Sequence, residues 1–176
     1  MYLSNMNSLG GWAIDESCYK FIREILKDGS TILEFGSGFG TEHLCSHYTM
    51  YSIEHDKEWI GKYDSNYIYA PLKSYDDTWK APDVSGENSE NQYGWYDPSY
   101  LIGKLPKKYD LILVDGPYSK VGRAGFLKHI DLFDSSVPIV FDDIHRKSEF
   151  ELMVKVSEYL KRDYHKLDDK TGYILR

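Results

Sequence analysis

One stretch, Thr31-Ile-Leu-Glu-Phe-Gly-Ser-Gly-Phe-Gly-Thr41, constrains the fold more than any other part of the chain. An apolar strand runs into three glycines in five residues, Gly36, Gly38 and Gly40. A second strand, in Tyr51-Ser-Ile-Glu-His55, then ends in an acid, Glu54, 18 residues after Gly36. This is the layout of a nucleoside-cofactor site at the carboxyl end of a parallel sheet. The glycines let the backbone approach the ligand, and the acid accepts hydrogen bonds from ribose hydroxyls. Gly40 comes four residues after Gly36, one earlier than in the Gly-x-Gly-x-x-Gly of dinucleotide sites, and Glu34 precedes the turn. Both details favour a cofactor without a pyrophosphate. Glu34, Gly36, Ser37, Gly38, Gly40, Glu54, His55 and, at the end of a later strand, Asp115 are therefore the expected cofactor residues.

The rest of the chain alternates helices and strands. Ile14 to Lys27 carries Cys18, Phe21, Ile22, Ile25 and Leu26 at helical spacing, and Asp28-Gly29 stops it. Strands are predicted at Thr31–Phe35, Met50–Glu54 and Tyr67–Ala70, with a short helix at Thr41–Ser46 and a helical turn or short helix at Asp56–Lys62. Tyr109–Asp115 and Val137–Phe141 are near-continuous apolar runs, the mark of parallel strands covered on both faces. Gly122–Leu132 reads as the crossover helix between them. Ser148–Arg162 reads as a longer helix with Phe150, Met153, Val154, Val156 and Leu160 on its apolar face. Tyr164–Leu167 and Tyr173–Leu175 read as a closing hairpin. The expected class is α/β: a Rossmann-like, mostly parallel seven-stranded sheet with helices on both faces and a C-terminal antiparallel hairpin. The length suits one domain over residues 1–176, with a flexible arm at 1–11. Residues 73–100 are polar and end in the aromatic Tyr93-Gly-Trp-Tyr-Asp97, which predicts a lid-like loop. Trp95 is a candidate substrate-binding residue, and Trp12 a second candidate to cover the pocket.

Two more strand ends carry acids. Asp115 ends the fourth strand in Val114-Asp-Gly-Pro117, and Asp142-Asp143 ends the fifth. A carboxylate at such a point can act as a general base, bind a metal or cap the next helix. Three carboxylates from neighbouring strand ends offer the oxygen ligands that hard divalent cations prefer. A metal on an acceptor hydroxyl would lower its pKa and ease deprotonation. His145 is a candidate general base or metal ligand. Arg123 and Arg146 are candidates for binding a carboxylate or phosphate on the acceptor.

The Glu-x-Gly-x-Gly-x-Gly run from Glu34 to Gly40 resembles the first motif of class I S-adenosylmethionine (SAM)-dependent methyltransferases. That resemblance implies SAM as cofactor and the corresponding Rossmann-like fold. Asp115 with Asp142-Asp143 resembles the acidic set of metal-dependent O-methyltransferases of the catechol type, which implies a divalent ion such as Mg, Mn or Co on these three residues. Asp110-Leu-Ile-Leu-Val-Asp-Gly-Pro117, Gly122-Arg123, Val140-Phe-Asp-Asp-Ile-His-Arg-Lys-Ser-Glu149 and Ser52-Ile-Glu-His-Asp-Lys-Glu-Trp59 are similar to blocks of the plant glucuronoxylan 4-O-methyltransferase family. His145 stands where that family tends to carry Asp. The likeness implies a sugar hydroxyl as acceptor, with Asp115, Asp142, Asp143 and His145 as the catalytic set.

Charge and cysteine usage set the remaining expectations. The net charge of −7 disfavours a nucleic-acid backbone as main partner. Cys18 and Cys45 have no metal or CxxC spacing and read as free thiols of a reducing compartment. No run approaches the length of a membrane span, and no secretory signal precedes the first helix, so a cytoplasmic protein is expected. The expected function is SAM-dependent O-methylation of a sugar or other small acceptor, with metal assistance as a variant. The expected partners are a small-molecule or glycan acceptor and no nucleic acid, with an oligomer allowed. Two alternatives differ in class: a nucleoside-cofactor-binding module without methyl transfer, and a nicotinamide-dependent oxidoreductase.

Overall fold

The computed structural model describes residues 13–75 and 94–176. The arm at 1–11, Trp12 and the centre of the expected lid, Tyr93 included, lie outside the described residues. The element order is α1 (Glu16–Ile25), β1 (Thr31–Phe35), α2 (Phe39–Cys45), β2 (Thr49–Glu54), β3 (Ser65–Tyr69), β4 (Leu72–Ser74), β5 (Gly94–Tyr96), β6 (Leu111–Val114), α3 (Gly125–Lys128), β7 (Ile139–Phe141), α4 (Lys147–Leu160), β8 (Tyr164–Lys166) and β9 (Gly172–Ile174).

Seven strands form one sheet in the order β3-β2-β1-β6-β7-β9-β8. β3, β2, β1, β6 and β7 are parallel, and β9 pairs antiparallel with both β7 and β8. The predicted α/β class, the seven-stranded sheet and the closing hairpin are all present. The chain moves outward from β1 to β3 on one side and from β6 onward on the other. The crevice beyond the carboxyl ends of β1 and β6 is thus the topological switch point, where open α/β sheets bind ligands.

Period-two alternation explains why both faces are covered. Ile32, Met50, Leu111, Leu113 and Val140 pack on one face with Ile14, Cys18, Phe21 and Ile22 of the first helical segment and Leu44 of α2. Leu33, Phe35, Ile112, Val114, Ile139 and Phe141 pack on the other face with Phe126 of α3 and Leu152, Met153 and Val156 of α4. The near-continuous apolar reading of β6 follows from this double burial: all four of its residues are buried. The closing hairpin is held at its turn by Asp168, whose Oδ1 accepts from the amides of Lys170 at 2.8 Å and Thr171 at 2.7 Å.

Several boundaries and two elements differ from expectation. Helix α1 stops at Ile25 because Leu26 turns extended, with φ −124° and ψ 133°. The third strand begins earlier, at Ser65, where its register with β2 starts. Residues 56–62 form turns rather than a helix, with Gly61 at φ +79°. The crossover helix expected over Gly122–Leu132 is reduced to the one turn of α3 and a 3₁₀ turn at Ile130–Leu132. Its packing accounts for the shortness. Any side chain at Gly125 would overlap the Trp95 ring, so α3 is pressed flat onto an aromatic layer.

That layer holds the described part of the expected lid-like segment. β4 and β5, the two ends of the segment 73–100, pair as an antiparallel ribbon. Trp95 and Tyr96 are fully buried core residues. Trp95 lies 5.6 Å from Phe35 and stacks on His129 at 5.6 Å, ring centre to ring centre. Burying a ring of this size contributes roughly 1.5–3 kcal/mol. Trp95 is therefore a core wedge, because its ring meets Phe35 and α3 before it reaches solvent.

Among the described residues no helix is long and apolar enough to cross a membrane.

Candidate functional site

The carboxyl ends of β1 and β6 nearly touch. Gly36, just after β1, has φ +86°, and a Cβ there would lie 3.0 Å from the Cα of Gly116. A Cβ on Gly116 would in turn lie 2.7 Å from the Cα of Gly36. Both glycines are needed for the close approach, and Gly36 also for its left-handed conformation. The Gly116–Pro117 peptide is cis. Over this contact opens a cavity of about 380 Å³, within the usual range for small-ligand sites. Gly36, Ser37, Glu54 and His55 line one half, and Asp115, Arg123, Asp142, Asp143 and Arg146 the other.

Glu54 is fixed at the end of β2 by backbone donors. Its Oε2 accepts from the Ser37 amide at 2.8 Å. Its Oε1 accepts from the amides of His55 at 2.7 Å and Asp56 at 2.8 Å. A carboxylate offers about four acceptor positions, so the carboxylate that faces the cavity keeps capacity for a ligand hydroxyl. Trp59, three residues past Asp56, also lines this half.

The other motif residues shape the turn from behind. Glu34 is buried and absent from the lining. Its Oε1 accepts from the Thr41 hydroxyl at 2.8 Å and from the Ser52 hydroxyl, and the Gly38 amide donates to Thr41 Oγ1 at 3.1 Å. Gly40 makes room for the chain ahead of α1: a Cβ there would lie 3.1 Å from Ile14 Cγ1. Glu34, Gly38 and Gly40 thus hold α2 against β1 and β2, and the direct lining falls to Gly36, Ser37, Glu54 and His55. Spacing alone does not separate the two roles, because strand alternation sends Glu34 to the α2 face while the turn glycines project outward.

Burial pushes the Glu34 carboxyl up to about 8, against the pull of the Ser52 and Thr41 hydroxyls. The folded chain therefore retains a proton that an unfolded chain releases near its ordinary value of 4.5. Stability should fall as pH rises from about 4.5 to about 8 and level off above. Glu34→Gln, which has nothing to release, should flatten that slope in melting temperatures measured between about pH 5 and pH 9. Parallel curves for the two proteins would remove Glu34 as the cause.

The acidic half is an ion cluster with its own counter-charges. Arg123 is only 4% exposed. It donates through Nη2 to Asp143 Oδ2 at 2.9 Å and Asp115 Oδ1 at 3.4 Å, and through Nη1 to the Asp142 carbonyl at 2.8 Å. Its Nε donates to the Pro117 carbonyl at 3.3 Å. With its donors committed this way, Arg123 ties the ends of β6 and β7 together at the cavity wall. Arg146 pairs with Asp143 at 2.8 Å and does line the cavity. Asp143 itself sits at φ +62°, a left-handed position that a non-glycine residue adopts only under strong constraint.

Asp115, Asp142 and Asp143 each present a carboxylate oxygen within 4.8 Å of the others, so the three predicted strand-end acids do converge. Burial and then the Asp142 charge push the Asp115 carboxyl well above its ordinary range. Burial and then Asp143 push Asp142 up to about 6. Asp115 and Asp142 hydrogen-bond one another and share a proton, so they titrate as a pair. Asp115 keeps 23% of its side chain open to the cavity, the most accessible of the three.

The remaining candidates lie apart. His145 is 43% exposed, stands 3.9 Å from Asp143 through Nδ1 and does not line the cavity. Trp95 is sealed in the core and does not line it either. Its neighbour Tyr96 does, as do Tyr118 and Ser119 after β6. Tyr96 lies within the aromatic run Tyr93–Asp97, but alternation along the three-residue strand β5 does not tell which ring turns to the cavity.

The acidic cluster is a poor fit for a divalent ion. Arg123 and Arg146 already occupy carboxylate oxygens that a cation would use. Two guanidinium charges and one shared proton balance the three carboxylates. A fully desolvated cation would add uncompensated charge to this pocket.

No family model and no curated protein matches the chain. The likeness to the glucuronoxylan family therefore gains no support from them. Solved structures similar to the chain include two complexes. The fibrillarin/Nop5p complex aligns at a TM-score of 0.47 and 16% identity, over 85% of this chain and 72% of the other. The Encephalitozoon (E. cuniculi) Mtq2–Trm112 complex, responsible for methylation of the eRF1 translation termination factor, aligns at a TM-score of 0.47 and 13% identity, over 90% and 89%. Both are assemblies with a protein partner. This overturns the expectation that partners are confined to a small-molecule or glycan acceptor with nucleic acid set aside, and that expectation is withdrawn.

Proposed function

We propose that the chain is a SAM-dependent methyltransferase acting on an acceptor that must lose a proton, a hydroxyl in the first instance. The observation that carries this reading is the meeting, in one cavity at the switch point, of the Gly36–Glu54 cradle and the Asp115–Asp142 pair. When bound, SAM supplies a methyl group already activated on sulfur. Gly36 and Ser37 leave space for the ligand backbone-close, Glu54 accepts from its ribose hydroxyls, and Trp59 offers a ring beside them. The Asp115–Asp142 pair, with Asp115 its more open member, accepts the acceptor's proton on the carboxylate that the shared proton leaves free. Arg123 and Arg146 keep the acids fixed in place, so no reorganisation is needed at the moment of transfer. No metal enters this scheme.

Calorimetric titration with SAM, S-adenosylhomocysteine and NAD tests the reading. SAM and S-adenosylhomocysteine should bind and NAD should not, since Gly40, which packs against Ile14, comes one residue too early for the dinucleotide turn. Binding of NAD with neither of the other two would replace this proposal by the oxidoreductase alternative.

A further inference from the structure

Tyr96 is fully buried, yet its hydroxyl makes no hydrogen bond. Folded chains leave few buried hydroxyls unpaired, because each forfeits its bonds to water without replacement. The place of this oxygen is specific. A Cβ built on Gly116 would lie 2.6 Å from it, and the same Cβ would lie 2.8 Å from the Gly36 amide nitrogen. The hydroxyl therefore stands directly over the contact between the ends of β1 and β6, and Tyr96 lines the cavity there. Its charged surroundings are Glu54 and Glu34 on the β1–β2 side and Arg123 and Asp115 on the β6 side.

The ring cannot swing away from this point. Phe35 lies 6.2 Å and Trp95 5.5 Å from it, centre to centre, and His55 closes the third side at 6.0 Å. The ribbon that carries it is locked in turn. Gly94 lies against the Lys73 carbonyl, and Gly125 admits no side chain beneath Trp95. A fixed donor aimed at the switch point is thus supplied by a ribbon outside the main sheet.

We propose that the Tyr96 hydroxyl binds the amino-acid chain of the cofactor. The inference rests on the reading of the chain as a SAM-dependent enzyme. Glu54, at the end of β2, serves the ribose, and the methyl group must face Asp115 beyond β6. What lies between, over the Gly36–Gly116 contact, is the sulfur and the chain attached to it. The carboxylate and ammonium of that chain are its only groups able to hydrogen-bond a phenol. Burial keeps the hydroxyl neutral by pushing its pKa well above the ordinary range, so it remains a donor at any working pH.

Tyr96→Phe removes one oxygen and keeps the ring. Wild type and variant are titrated calorimetrically with S-adenosylhomocysteine and with methylthioadenosine, which has the nucleoside and the sulfur but no amino-acid chain. Melting temperatures are measured without ligand. The variant should bind S-adenosylhomocysteine about tenfold or more weakly, bind methylthioadenosine as wild type does, and melt no lower. Equal affinity for S-adenosylhomocysteine in the two proteins overturns the proposal. Equal losses for both ligands overturn it too, because the contact would then be with the nucleoside. A lower melting temperature without ligand would assign the hydroxyl a structural role instead. Wild-type protein that binds neither SAM nor S-adenosylhomocysteine would overturn the functional reading itself, and this inference with it.

Discussion

Asp115→Asn is expected to lower turnover by about a hundredfold or more while leaving S-adenosylhomocysteine affinity unchanged. The substitution keeps the shape and removes the carboxyl through which the Asp115–Asp142 pair takes up a proton. The fold should tolerate it, because Arg123 retains Asp143 and the carbonyls of Pro117 and Asp142. Wild-type turnover should also fall as pH drops through about 6, where Asp142 takes up its proton and the pair no longer has a free carboxylate. The direction follows from the role: a base must be deprotonated to act, and raised pKa values move its loss of function upward in pH. A chelator should leave the wild-type rate intact, since Arg123 and Arg146 neutralise the acids without an ion. A chelator effect as large as that of Asp115→Asn would restore the metal to the mechanism. Full activity in Asp115→Asn would refute Asp115 as base.

Gly36→Ala should abolish cofactor binding and destabilise the fold by about 1–2 kcal/mol. Two effects add. The backbone at φ +86° is unfavourable for any side chain, and the new Cβ would lie 3.0 Å from the Gly116 Cα, a backbone atom that cannot rotate aside. For a chain of this length, each kcal/mol shifts the melting temperature by roughly 2–4 °C. Gly38→Ala is the useful contrast. Gly38 has an extended backbone, with φ −155°, and does not line the cavity. Thermal melts and calorimetry on both variants check the difference. An unchanged melting temperature and wild-type binding in Gly36→Ala would sink the account of the switch point.

The contrast between these two glycines marks where the sequence stops. Three glycines in five residues announce a backbone-close ligand, but Gly36 alone combines a left-handed φ with an opposing backbone. The partner that makes Gly36 indispensable is Gly116, which is remote in sequence and brought near only by the pairing of β1 with β6.

Local patterning determined the rest of the framework. Uninterrupted apolar runs at 111–114 and 139–141 require strands buried on both faces. The acids Glu54, Asp115, Asp142 and Asp143 end their strands because a charge cannot continue into that interior. These properties belong to each segment on its own, so they are legible in the chain. What the tertiary structure decided are pairings between segments. Arg123 could be read as a guanidinium for the acceptor, but four protein oxygens claim its donors once β6 and β7 lie side by side. Trp95 and Tyr96 are adjacent aromatic residues with no difference in sequence. The ribbon of β4 and β5 turns one against α3 and the other toward the cavity. Short-range periodicity specifies which residues avoid water. Only long-range packing specifies what each of them meets when it does.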